Sequence, residues 1–320
     1  MGVLDFILFN LTLLSMSPLR KNDTLLGAAL VFIGAIFFSS KAVMVKLAYQ
    51  YEVDSISLLT LRFTFALPIY LAFNWGMQRK SVKPARLTAK EWGQLAVVGI
   101  VGYYLASLLD FIGLQYITAS MERLILFLYP TIVVVISAVF LRKPITRMQL
   151  LALLLTYIGI GLAFYQGLQM AGQENFLLGG ILIFFCAIAY AFFLIGSGEL
   201  IPKMGAIRFT SLAISFSSGM ILLHHLVAYQ WDLFDFHPMV YWYSLLMATI
   251  ATVLPSFLVS AGIKRIGASN ASIVGSVGPI STIILAYIFL GERLGNLQII
   301  GTFIVIGGVL LISLQKKSAA

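Results

Sequence analysis

Residues 118–141 read TASMERLILFLYPTIVVVISAVFL, and residues 267–290 read GASNASIVGSVGPISTIILAYIFL. The two stretches align without a gap at a separation of 149 residues. Each is apolar almost throughout, carries Ala-Ser next to its start, holds a proline near its middle (Pro130 and Pro279) and closes on Phe-Leu. Each is long enough to cross about 30 Å of hydrocarbon as a helix. Proline removes a backbone donor and kinks a helix. The first copy also sets Glu122 beside Arg123, a pairing that is costly in lipid unless it faces something other than lipid.

The alignment extends outward, from about Leu105 to Gly167 in the first copy. Ser107 meets Ser256, Gly113 meets Gly262, Gln149 meets Gln298 and Gly159 meets Gly308. The starts match as well, since LLGAALVFIGAI from Leu25 is similar to LLGGILIFFCAI from Leu177. Apolar runs predict ten membrane spans, at 24–49, 55–76, 92–114, 118–141, 146–166, 177–198, 207–229, 240–262, 270–290 and 296–314. Residues 24–166 and 177–314 therefore form two five-helix units. Five is odd, so the second unit enters the membrane in the opposite orientation. The leading segment 1–23 opens MGVLDFILFNLTLLSMSPL, which is apolar but short and has no basic n-region. It reads either as an interfacial helix or as a mis-assigned start ahead of Met16.

Composition agrees with a membrane protein and leaves no room for a soluble domain. The chain has 320 residues, 60% hydrophobic and 10% charged, with a mean hydropathy of +0.99. Soluble domains carry about 25% charged residues. The net charge of +9 has a topological explanation. With the N-terminus inside, the inner segments hold Arg79, Lys80, Lys83, Arg86, Arg142, Lys143, Arg147, Lys264 and Arg265, among others. The outer loops hold Arg293 as their basic residue, with Glu52, Asp54, Glu174, Asp232, Asp235 and Glu292. This is a positive-inside pattern with both termini cytoplasmic, and it requires no nucleic-acid partner. Trp75, Trp92, Trp231 and Trp242 fall at span ends, as an interfacial belt requires. Cys186 is the sole cysteine, which excludes an intrachain disulfide and a thiolate metal cluster. A Walker lysine motif, HExxH, GxSxG and C-x-x-C are all missing, so neither an enzyme nor a cofactor is expected.

Inverted repeats are the architecture of many secondary transporters, with substrate held near the midplane between the halves. The chain resembles the EamA-type drug/metabolite transporter superfamily from Leu25 to Leu314. The resemblance rests on the repeat, the joints at Phe140–Ile145 and Phe289–Leu294, the two segments quoted above and GERLGNLQIIG from Gly291. The first joint, RKPITRMQLLA, departs from the pattern by having Arg142-Lys143 where Gly-Glu is usual. The resemblance implies an inner- or plasma-membrane exporter or exchanger of small metabolites, and it does not name the solute.

Helical spacing separates cavity from lipid. Tyr103, Ser107 and Asp110 share one face of the third span, because steps of 3, 4 and 7 return to nearly the same angle. Thr252 and Ser256 form the matching stripe on the eighth. On the ninth, Ser272, Ser276 and Pro279 align, and their first-half partners are Arg123, Phe127 and Pro130. Arg123 thus stands on a cavity wall that is small and polar in the other half. The intramembrane charges Lys41, Lys46, Arg62, Asp110, Glu122 and Arg123 all belong to the first half. Each costs on the order of 2.5–3.5 kcal/mol to insert. The substrate-binding candidates are Lys41, Tyr103, Ser107, Arg123, Tyr129, Ser256, Ser272 and Ser276. The gating or coupling candidates are Asp110, Glu122, Pro130 and Pro279. Lys46 reads as snorkelling to the outer interface. Asp110 is expected to pair with Arg62 or Lys46. The expected function is secondary active transport of a small organic metabolite such as an amino acid. A flippase for a lipid-linked amphiphile is the alternative. Two five-helix halves in one chain can form a complete pathway as a monomer within the bilayer.

Overall fold

The computed structural model describes residues 21–78, 87–140, 142, 144–171, 175–230, 232–275 and 277–314. Its elements are α1 (Lys21–Tyr49), α2 (Ser55–Gln78), α3 (Ala89–Tyr116), α4 (Ala119–Leu126), α5 (Tyr129–Phe140), α6 (Arg147–Ala171), α7 (Phe176–Met204), α8 (Ala206–Tyr229), α9 (238–275), α10 (Val277–Leu290) and α11 (Asn296–Leu314). Among the described residues every regular element is helical. Helices of 19 to 29 residues are long and apolar enough to cross a membrane, and the shorter apolar helices Val277–Leu290 and Asn296–Leu311 complete the set. The outward surface carries side chains such as Val227, Phe289 and Phe303, a composition that only a hydrocarbon solvent tolerates. The chain is a multi-pass membrane protein. The segment 1–20, the cluster 79–86 and Trp231 lie outside the described residues.

Close helix contacts occur where small residues let backbones approach. Gly27 on α1 meets Gly262 on α9, where a Cβ on Gly262 would lie 2.8 Å from the Gly27 carbonyl. Gly113 on α3 meets Gly179 on α7 in the same manner, at 3.2 Å. By the sequence alignment these are corresponding contacts: the first helix of each half packs on the third span of the other. Gly159 on α6 faces Gly301 on α11, which brings the last helices of the two halves together.

Local irregularities recur at the same alignment offset. The fourth span is interrupted between α4 and α5 at Phe127 and Leu128, just before Pro130. In the ninth span Ser276, between Gly275 and Val277, lies outside the described residues. Pro130 therefore stands in the first turn of a new helix, where a missing N–H is harmless. The third and eighth spans each carry a π-helical segment, Ile100–Leu105 and Thr249–Val253. The amide of Ala106 donates to Val101 and that of Leu254 to Thr249, five residues back in each case.

Two expectations change. Helix α9 runs through 263–269, where a connection between the eighth and ninth spans was expected. In the first half Thr118 stops α3 and caps α4 by accepting the Met121 amide at 3.2 Å. Its counterpart is Gly267, which has no side chain to cap a new helix. The π segments also shift the side-chain register, because an extra residue per turn breaks the 3.6-residue period. Tyr103 lies inside such a segment.

The joints after α5 and α10 explain the Gly-Glu departure. Gly291 has φ +66° and the corresponding Arg142 has φ 52°. A left-handed conformation costs a non-glycine residue roughly 1–2 kcal/mol, and Gly loses more freedom on folding. Arg142→Gly is therefore expected to stabilise the detergent-solubilised protein by about 1 kcal/mol, read as a rise in its unfolding temperature.

Candidate functional site

The intramembrane charges converge from four helices. Lys41 on α1 points at α3 and donates to Asp110 Oδ2 at 2.5 Å. The same ammonium stands 3.5 Å from Glu122 Oε1 on α4. Asp110 and Glu122 are fully buried, at 1% and 0% exposed. Among the described residues no N–H or O–H donor reaches Asp110 Oδ1 or the oxygens of Glu122, and the two carboxyl groups lie within hydrogen-bonding reach of each other. Two carboxylates thus share one lysine, which corrects the expectation that Asp110 pairs with Arg62 or Lys46. Removing either sign would strand a buried charge.

Arg62 on α2 approaches from the other side of Asp110. Its Nε donates to Thr252 Oγ1 at 3.1 Å, and its guanidinium lies 5.6 Å from the ring centres of Phe63 and Phe111. Asp110, Tyr70 and Tyr103 are within its electrostatic reach, while Nη1 has no hydrogen-bond partner. The π segment places Thr252 here, because its hydroxyl donates to the Met247 carbonyl five residues back.

Arg123 departs from Glu122 by about 100° around the helix, and the two side chains reach different neighbours. The Arg123 guanidinium lies against Gly278, where a Cβ would sit 2.7 Å from Nη2. A side chain at Gly278 would have to displace the flexible end of the arginine. Tyr129 and Tyr190 are within its electrostatic reach, with their rings edge-to-face at 5.0 Å. Arg123 Nε is buried without a hydrogen-bond partner. The start of α10 is tied to α1, since Ser39 Oγ donates to the Gly278 carbonyl at 2.9 Å and Thr282 Oγ1 to the Ser39 carbonyl at 3.3 Å.

The other candidates separate. Tyr103 is half-buried and sets its ring edge-to-face on Phe193 at 5.0 Å. Ser107 is half-buried. Ser256 accepts from Tyr70 at 2.9 Å and donates to the Thr252 carbonyl at 2.6 Å, so it braces the wall between α2 and α9. Ser276 and the side chain of Ser272 lie outside the described residues. Lys46 lines a cavity of about 360 Å³ with Tyr49, Gln50, Val53 and Gln115. Sequence reading missed Ser39, Thr282 and Glu292. The first two carry no signal beyond being small hydroxyl residues; Glu292 is part of a joint whose reach across the fold only the structure reveals.

Three cations, Lys41, Arg62 and Arg123, face two carboxylates, Asp110 and Glu122. The formal excess is positive, and a buried nitrogen is left unfilled on Arg62 and on Arg123 among the described residues. Such a layer can bind an anionic group at Arg123.

Comparison with known proteins supplies the family. The profile of the EamA-like transporter family matches twice, over residues 25–165 and 177–314. The chain is 30% identical over 304 residues to Uncharacterized transporter YcbK of Bacillus subtilis (strain 168), covering 91% of this chain and 94% of the relative. It is 26% identical over 310 residues to Uncharacterized inner membrane transporter YicL of Salmonella typhimurium, covering 93% and 99%. A solved crystal structure superposes with a TM-score of 0.59 at 16% identity, over 92% of this chain and 96% of that one; this likeness shows the fold.

Proposed function

The chain belongs to the EamA-like transporter family, and from that premise we propose that it is a secondary active transporter of a small organic metabolite. Ten spans form two inverted five-helix halves with both termini cytoplasmic, and the halves expose a shared site to each face in turn. The site is the layer of Lys41, Asp110, Glu122 and Arg123 beside the break between α4 and α5. A bacterial inner membrane is its place, in keeping with the name of the Salmonella relative. An amino acid suits the layer: its carboxylate meets Arg123, and its ammonium meets Glu122.

The observation that carries this reading is the half-buried Arg123 guanidinium just before the break between α4 and α5, beside Tyr129 and Tyr190, with its buried Nε unfilled among the described residues. A purely structural arginine in lipid would have its donors satisfied, because an unmet buried charge is expensive. The alternative, a flippase for a lipid-linked amphiphile, needs a groove open to lipid that offers a headgroup polar partners. A lateral groove of about 210 Å³ exists among Ile125, Leu128, Tyr157, Phe164, Leu177 and Phe184. It is apolar apart from the Tyr157 hydroxyl, which favours the small-solute reading.

Counterflow tests the proposal. Proteoliposomes loaded with a pool of amino acids and small organic acids are diluted into trace labelled solute. Saturable uptake of one chemical class is expected. A verified folded preparation that exchanges no pooled solute, yet moves a fluorescent lipid between leaflets, would replace the carrier reading with the flippase.

A further inference from the structure

We propose that Glu292 is a two-position gate at the external end of the pathway, exchanging the start of α4 for Lys46 as the protein opens. The inference rests on the alternating-access reading and on its orientation. Glu292 lies in the joint between α10 and α11, in the second half of the chain. Its carboxylate accepts three hydrogen bonds from the first half: the Ala119 amide at 2.8 Å, the Ser120 amide at 3.0 Å and the Ser120 hydroxyl at 2.7 Å. A helix N-terminus presents unpaired N–H groups and a positive dipole end, so a carboxylate is well held there. The helix it holds is the one that carries Glu122 and Arg123. While the clasp is made, the external end of that helix is fixed to the opposite half.

Lys46 supplies the second position. It lines the 360 Å³ cavity at the outer end of α1 and lies within electrostatic reach of Glu292. Among the described residues it forms no ion pair within 4.0 Å. When α4 swings away, Glu292 loses its donors, and an ammonium is at hand to take the charge. The carboxylate is thus satisfied in either position and poorly satisfied between them, which is what a discrete switch requires. The sequence makes the device one-sided. The residue that corresponds to Glu292 in the first half is Lys143, and a lysine side chain has donors but no acceptor for helix amides. The internal end has no such clasp built from the same motif.

Cysteine accessibility tests the gate. Ala286 is fully buried on α10, and its carbonyl accepts the Glu292 amide at 3.3 Å. An Ala286→Cys reporter is placed in a Cys186→Ser background, and an impermeant maleimide is added to either face of proteoliposomes. Glu292→Gln is expected to raise labelling from the external face about 10-fold. Ser120→Ala, which removes one of the three bonds and is the milder change, is expected to raise it about 2-fold. Lys46→Gln is expected to lower external labelling below wild type, and Lys46→Arg to restore it. The gate is overturned if Glu292→Gln and Ser120→Ala label no faster than wild type. It is equally overturned if Lys46→Gln raises labelling as Glu292→Gln does, since both would then be simple loosening. Loss of counterflow in the wild-type protein would strike the transport reading instead, whatever the reporter does.

Discussion

Arg123→Ala is expected to lower solute exchange in proteoliposomes by roughly 10- to 100-fold while leaving membrane yield close to normal. The guanidinium is half-buried, lies against Gly278 and has no partner for Nε among the described residues. Its removal takes away a cation that the protein has left incompletely paired, so the fold loses little and a bound anion loses its main contact. Arg123→Lys keeps the charge and forfeits the planar fork, and is expected to fall between the two. Collapse of expression, with normal exchange by the surviving protein, would make Arg123 a structural residue.

Lys41→Met is expected to act on stability. It leaves Asp110 and Glu122 buried without their shared ammonium, at 2.5 and 3.5 Å in the intact protein. Breaking a buried pair from one side costs on the order of 3–5 kcal/mol. Thermal unfolding in detergent should show a large fall for Lys41→Met and substantial recovery for Lys41→Met combined with Asp110→Asn, because the second change removes a stranded charge. Transport should not recover, since the layer has lost its cation. A loss below about 1 kcal/mol in the single variant would mean that the ammonium does not hold the carboxylates.

Much of the fold was legible in the sequence because the chain states it twice. Pro130 announced a kink in the fourth span, and the helix breaks there between α4 and α5. What was hidden depends on distance or on register. Lys41 and Asp110 are 69 residues apart, and Glu292 is 172 residues from Ser120, so no local pattern joins them. The π segment at Ile100–Leu105 has no residue signature. Its counterpart precedes Pro255, which lacks an amide, but Ala106 stands at the corresponding place with its amide intact. The end of the eighth span failed through one residue, Gly267 in place of a capping threonine.

The central claim is that the charged layer is reached from each face in turn. Ser39 is the residue on which to measure it: it is 1% exposed and bonded to the Gly278 carbonyl at the start of α10, against which Arg123 lies. A Ser39→Cys variant in the Cys186→Ser background changes little in size. An impermeant maleimide applied during exchange is expected to label it from the external face and, in a separate experiment, from the internal face, each at a rate that saturating solute alters. Labelling from one face alone under every condition, with exchange running, would contradict alternating access through this layer.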